Sequence, residues 1–507
     1  MTPGVQTPFS RVWTIQYRAS PSHVPIYQGF ARAGTMEQGL GDVTSVKVPS
    51  KYAYGQFEEM AVIRGTEDRP TTSLIFKYLM TRSDIKKLAE SKCAIDVQIH
   101  FGRCKTPTSF NLGWEKIIVF ENAVFTNYAT SDLGAFDQSE DAVIEETVDL
   151  SGEWFYEIVP IRLVERGQAA VGQTIVAIDV VDSPSCGECE YPSDGCQRVM
   201  AVSAPGSASP GVLAEVLFSD DGGTIWEDTW ITSLDLGEDP NDGEMVGDYY
   251  VVVSNDSGSM HMAVIDEIYT GDETWNEVLT GFDLGGPPNA IVSVGNADTW
   301  VVGDGGFVYY SSSIPDGVEI VDNASATTEN LNAVDAYDAE HVVAVGDAGV
   351  VIYASDGRNF GLVTNPDTVN NPNLISVLML DERTWIVGTA DNAAWYTENH
   401  GTSWTQMRFP GDTTGGGGTG WVEDIKAATR NVLYMAHNIT HIALGARGRI
   451  LRSLDGGHTW YVLPEGAGTI PDNDYIYSLA TCYREANVVF AGGMADNAGD
   501  GIIIKGA

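Results

Sequence analysis

The feature that most constrains this chain is that its C-terminal two-thirds repeats itself. Residues 299–313 read TWVVGDGGFVYYSSS, 341–355 HVVAVGDAGVVIYAS, 384–397 TWIVGTADNAAWYT and 441–453 HIALGARGRILRS. Each is a strand, a glycine turn and a strand. Gly303, Gly346, Gly388, Gly445 and Gly492 recur at intervals of 43, 42, 57 and 47 residues, and the long interval holds the run 415–418, which reads as a loop insertion. Periods of this length signal an array or a propeller. Before each unit comes another short alternating segment, at 290–294, 331–335, 374–378, 422–427 and 476–480. Four strands per unit, stacked radially, bury both faces of every small sheet. The expectation is an all-β chain with a seven-bladed β-propeller over 171–507. Its first strand is at 174–182, and its most degenerate unit at 249–275. After 501–505 the last unit has no evident fourth strand, so closure of the ring is left open.

Several units end in a shared turn. Ser453, Asp455, Gly457, Thr459 and Trp460 fit the Asp-box pattern S-x-D-x-G-x-T-W at every position. Thr397, Asn399, Gly401, Ser403 and Trp404 fit it with Asn for Asp and Ser/Thr exchanged, and Ser219, Asp221, Gly223 and Trp226 fit except at the seventh position. The short acidic side chain caps turn N–H groups, glycine supplies positive φ, and tryptophan folds back between sheets. This makes the box a staple and not a catalyst. On these residues the repeat resembles the Asp-box propellers shared by sialidases, photosystem assembly factors and many secreted or viral binding modules. The likeness implies a fold, not an activity.

Charge is split along the chain. Residues 1–170 carry 17 basic and 21 acidic side chains, net −4; of the totals of 28 and 70, that leaves 11 and 49 beyond residue 170, net −38. Such an imbalance disfavours any broad surface that grips nucleic acid or an anionic membrane. No apolar run is long enough to span a bilayer, and the segment from Met1 to Trp13 lacks the regions of a secretory signal, so a soluble protein made in the cytoplasm is expected.

The stretch 1–170 alternates with the strand period. Candidate strands lie at 57–64, 72–80, 93–101, 116–126, 142–150 and 154–164, with one helix at 84–92 capped by Ser83. Residues 32–56 form a long polar segment, including Arg32, Met36 and Tyr52, with Val43, Val46 and Val48 in near alternation. A segment this long in a compact domain is usually functional or pairs with something else. A strand-rich barrel with one flanking helix, an N-terminal arm and a long projecting hairpin resembles the major tail tube proteins of long-tailed bacteriophages and related contractile injection systems. The wording of 74–80, 96–101 (DVQIHF), 114–124 and 157–163 (EIVPIRL) carries that resemblance. It implies that 32–56 stacks one ring on the next and that 3–12 reaches a neighbouring subunit. Barrel edges would pair between copies, most simply as hexamers, alongside other tail proteins. Viral DNA would pass through the lumen without specific binding, and the propeller would be an outward decoration. The implied location is the viral tail, assembled in the host cytoplasm, with no membrane partner. The alternative reading is a carbohydrate-binding propeller with an N-terminal attachment domain, and a host-surface glycan is a candidate ligand in either case.

Other constellations point to no catalyst and no cofactor. Cys186, Cys189 and Cys196, in the loop 183–197, have spacing suited to two thiolates and a third on one Zn2+, completed by Asp182, Asp194 or a histidine; a loop disulfide and free thiols are the alternatives. Cys93 and Cys104 read as buried thiols, and Cys482 as core. His437 and His441 lie about 13 Å apart on a strand face, too far for chelation. His400 and His458 read as exposed spacers in box turns. A sialidase would need three arginines converging from several blades, whereas Arg447, Arg449 and Arg452 are bunched on one. The acidic run 235–248 lacks Ca2+-loop spacing and reads as solvated loop.

Overall fold

The computed structural model describes residues 10–15, 26–37, 43–49, 57–64, 71–77, 85–101, 116–130, 145–169, 172–180, 198–205, 213–234, 239–254, 260–279, 286–295, 298–313, 319–321, 326–410, 419–441, 445–464, 474–482, 485–495 and 500–506. The chain divides into two compact units, Met1–Pro160 and Ile161–Ala507.

The first unit holds β1 (Ser10–Ile15), β2 (Ile26–Glu37), β3 (Val43–Pro49), β4 (Phe57–Arg64), β5 (Thr71–Lys77), α1 (Ile85–Ser91), β6 (Ile95–Phe101), β7 (Lys116–Thr130), β8 (Glu145–Ser151) and β9 (Trp154–Ile158). The sheet runs β6-β1-β2-β5-β8-β7-β9, and a further β6–β7 pairing closes it on itself. Closure removes most of the edges an open sheet would expose and leaves β9 paired on one side. β7 can serve three partners because it is long and changes course midway. Its first half pairs with β6 and β9, and its second half with β8. The change of course falls at Asn122, which has a left-handed φ of 48° and donates its N–H to the buried Oδ1 of Asp96, at 2.9 Å. Inside lie Leu74, Val97, Ile99, Ile118, Phe120, Phe125, Val148 and Leu150, with Leu88 and Ala89 of α1 packed against them.

Several expectations change here. The segment 32–56 is not one loop. Arg32 and Met36 lie in β2, within the barrel sheet, whereas Val43, Val46 and Val48 lie in β3, which pairs with β4 as a separate two-stranded ladder. Tyr52 falls outside the described residues, as do Ser83 and most of 3–12. Ser10–Val12 belong to β1, which is paired on both sides and so is no free arm. α1 stops at Ser91, because Lys92 takes φ 52° and leaves the helix. The strand expected at 154–164 is two strands, broken at Pro160, and the second of them belongs to the other unit.

Among the described residues, that second unit holds seven four-stranded antiparallel sheets. Their innermost strands are Gln173–Val180, Pro240–Val246, Pro288–Val294, Leu331–Ala336, Leu374–Met379, Thr419–Ala427 and Tyr475–Ala480. Each packs against the next, and the seventh against the first, giving a β-propeller arrangement. The seventh sheet takes its outermost strand from the start of the unit: β10 (Leu163–Gln168) pairs with Asp500–Gly506. This is the fourth strand absent from the sequence after residue 505. The ring therefore closes with both chain ends of the unit hydrogen-bonded in one sheet, and the unit begins at Ile161, ahead of the start that the repeat suggests. The second sheet looks degenerate because the helix α2 (Ile265–Thr270) separates its third and fourth strands.

Each inner strand carries a one-residue pairing shift at the same place. The shifts fall at Ile175/Ala177, Pro240/Asp242, Pro288/Ala290, Leu331/Ala333, Leu374/Ser376, Val422/Asp424 and Ile476/Ser478. Such a bulge re-aims the side chains beside it. Of the recurring glycines, Gly303 and Gly346 are required for close approach and not for turn geometry. Both are extended, and a Cβ would collide with the backbone carbonyls of Pro287 and Asn330.

Because β10 completes the seventh sheet, a fragment starting at residue 161 should melt cooperatively as a monomer. One starting at 171 leaves an apolar strand edge unpaired; it should melt about 10 °C lower or aggregate, as scanning calorimetry and size-exclusion chromatography would show.

Candidate functional site

The bulges bring a set of polar side chains to the axis. At the position just past the bulge, Oδ2 of Asp242 accepts the N–H of Ile291 (3.0 Å), Oδ2 of Asp424 accepts that of Leu479 (2.7 Å), and Oγ of Ser478 accepts that of Ile178 (3.2 Å). Two residues further on, Asp179 accepts the N–H of Met245 (2.8 Å), Glu244 that of Ser293 (3.2 Å) together with its hydroxyl (3.0 Å), and Asp335 that of Met379 (2.6 Å). At the bulge itself, Nδ2 of the unpaired residues Asn241, Asn289 and Asn332 donates to the carbonyls of Pro288, Leu331 and Leu374. Between the fifth and sixth sheets, Ser376 donates to the carbonyl of Val422. Every junction thus carries a side-chain-to-backbone bond between neighbouring inner strands.

Beyond residue 170 the sequence has two lysines, Lys426 and Lys505. Lys426 sits in this ring. It is exposed yet lies among carboxylates, and Asp424 first, then Glu244, Asp335 and Asp242, hold its pKa above the ordinary lysine value against the effect of burial. The carboxyls respond to crowding and burial. Burial, opposed by backbone donors and Lys426, pushes Asp242 and Asp335 each up to about 6, and burial also raises Glu244 and Asp424. Tyr250 is fully buried with its hydroxyl against Gly243, and burial followed by Asp179, Asp242 and Glu244 raises it.

The run 235–248, expected to be a solvated loop, supplies the inner strand that bears Asp242 and Glu244. Among the described residues, no group of three or more His, Cys, Asp or Glu is placed to hold a metal. Cys186, Cys189 and Cys196 lie outside those residues. Cys93 is exposed and free and not a buried thiol, and Cys482 is buried but disulfide-bonded. His437 is buried and donates through Nε2 to Oδ1 of Asn392 (2.6 Å); burial, then Arg449, lowers its pKa to about 3 and keeps it neutral.

The Asp boxes form a second, outer ring. Oγ of Ser453 donates to Asp455, whose Oδ1 accepts the N–H of Thr459, and Nε1 of Trp460 donates to the carbonyl of Gly457. Asp221 does the same for Ser219, Thr224 and Ile225, and Trp226 for Gly223. In the third box, Oδ1 of Asn399 accepts the N–H of Ser403, Thr397 accepts the N–H of Gly401, and Trp404 instead donates to Thr364 in the preceding sheet. One residue on the third strand of most sheets reaches the next sheet at this level: Phe218 meets Tyr269, Tyr310 lies under Arg358, Tyr353 meets His400 and Tyr396 meets His458. Arg452 donates to Ala486 and Lys505 to Gly222 at the corresponding positions. His400 is exposed as expected and His458 is half-buried, but both also lie against tyrosines of the preceding sheet. Arg452 is a latch, as the bunching of arginines did not foretell.

No family model and no curated protein matches the chain. Solved structures of similar shape include YCF48 bound to D1 peptide (15% identity, TM-score 0.48, covering 68% of this chain and 95% of that one). Others are YCF48 from Cyanidioschyzon merolae (14%, 0.49, 68% and 98%) and U3-55K (11%, 0.49, 69% and 98%).

A carboxyl whose native pKa is raised binds its proton more tightly folded than unfolded, so its contribution is present below about pH 4 and is lost as pH rises through about 6. Denaturant unfolding should therefore show this unit gaining stability between pH 7.5 and 5. Lys426→Met should cost about 2 kcal/mol at pH 7.5, between the values for exposed and buried pairs because Lys426 is exposed while lying among carboxylates, and less at pH 5. Asp455 is buried and Asp221 is not. Asp455→Ala should therefore cost about 2–3 kcal/mol and Asp221→Ala clearly less in the same assay.

Proposed function

We propose that the chain is a structural protein of a bacteriophage tail. Its first unit is the tube subunit, assembling with copies of itself into rings, hexameric by family resemblance, that stack into a conduit for DNA. The second unit, read as a seven-bladed propeller, is carried outside the lumen. The observation that supports this best is the β3–β4 ladder. It is a two-stranded antiparallel ladder that pairs with no other strand among the described residues, and it accompanies a barrel sheet whose last strand, β9, pairs on one side only. A hairpin of two strands is marginal alone. A neighbouring ring would give it a surface, and β9 offers a backbone edge to an adjacent subunit. The weak net charge of the first third suits a conduit that lets DNA pass without holding it.

A second reading, a carbohydrate-binding propeller on an attachment domain, is favoured by half-buried aromatic rings on the inner strands of the sixth and seventh sheets. Neither reading involves catalysis. Negative-stain microscopy of purified protein separates them. Hollow tubes are expected, and replacing residues 43–64 by a short linker should abolish them while circular dichroism and melting stay nearly unchanged. The deletion is confined to 43–64 because β2, through Glu37, belongs to the barrel. Monomers under all salt and seeding conditions would favour the second reading.

A further inference from the structure

The unpaired residue at the bulge differs around the ring. In the second, third and fourth sheets an asparagine there ties one inner strand to the next. In the sixth and seventh the corresponding residues are Glu423 and Tyr477, and two positions earlier stand Trp421 and Tyr475. Trp421 and Tyr475 stack with centroids 5.4 Å apart at 23°, and Tyr475 and Tyr477 follow at 6.3 Å and 30°. The three rings make one nearly continuous surface, half-buried and not sealed into a core. Glu423 accepts side-chain hydrogen bonds from Trp421 and Asn438, which fixes the indole, and burial raises its carboxyl to about 7.

We propose that this aromatic wall, at the start of the inner strands, binds an uncharged saccharide. The electron-rich ring faces attract the weakly positive C–H groups of a pyranose face, and the polar groups at their margins match its hydroxyls. Asp424 lies further along the same strand as Trp421, and with Asp242, Glu244 and Asp335 on the inner strands of the second and fourth sheets it surrounds Lys426 and sets the sign of the field. That field repels anionic sugars, so the site selects against sialylated and uronic glycans. The inference rests on reading this unit as a binding module, and is independent of whether the first unit polymerises.

The test is titration calorimetry and saturation-transfer NMR on the full chain. The probes are cellohexaose, maltohexaose, laminarihexaose and chitohexaose, with 3′-sialyllactose and a proline decamer as counter-probes. At least one neutral hexasaccharide should bind, and Trp421→Ala and Tyr475→Ala should each weaken it tenfold or more. Trp421→Phe, which keeps a ring, should retain most of the affinity and shows that loss in the alanine variants is not misfolding. Filament formation should not change in any of them, so failure here and failure of the tube assignment are separable. No neutral binder, equal binding by Trp421→Ala, or preference for sialyllactose or the proline peptide would overturn the proposal.

Discussion

A four-stranded sheet of short strands cannot bury both its faces alone, and the seven sheets of the larger unit depend on being tied to one another. The tie is a hydrogen bond from a side chain on one inner strand to the backbone of the next. Carboxylates supply the acceptor at four junctions, at positions a bulge has turned toward the neighbour. An anionic acceptor strengthens such a bond, but several anions then crowd one axis. Lys426 offsets that crowding, which explains why one of only two lysines in a strongly acidic stretch sits there.

The outer ring repeats the logic with different chemistry. Tyr310, Tyr353 and Tyr396 come at equal spacing, and each is covered by the turn of the following sheet, through Arg358, His400 and His458. Where the repeat diverges, Arg452 and Lys505 reach carbonyl oxygens instead. The second sheet has Ala263 at this position, opposite Tyr250, and its junction with the third relies on the inner bonds of Asn241, Asp242 and Glu244. Loss of one device is matched by concentration of the other.

Much of this was legible in the residues. The glycine periods and the Asp boxes located the strands of the third to fifth sheets, because both patterns are local: a turn needs its glycine and its cap within one short stretch of chain. In the sixth, the unit read as strand, turn and strand at 441–453 instead starts at the last residue of Leu433–His441 and continues as the single strand Gly445–Ser453. The candidate strand at 57–64 matches β4 at both ends. The axial ring was not legible, since its carboxylates act on a different sheet far along the chain, as Asp179 does on Met245 and Asp424 on Leu479, and lie in strands with no shared motif. Asp242 and Glu244 sit in a run whose acidity and glycine content argue for loop, and tertiary pairing overrode that preference.

Sequence alone determined the all-β class, the repeat, the box turns and the contrast in charge between the two parts, because each depends on neighbours along the chain or on composition. Only the tertiary structure decided where the ring closes, since the missing strand is donated by β10 from the opposite end of the unit. It also decided which acidic residues are structural. A carboxylate becomes an inter-sheet acceptor only when a bulge and a neighbouring N–H meet it, and no linear pattern records that meeting.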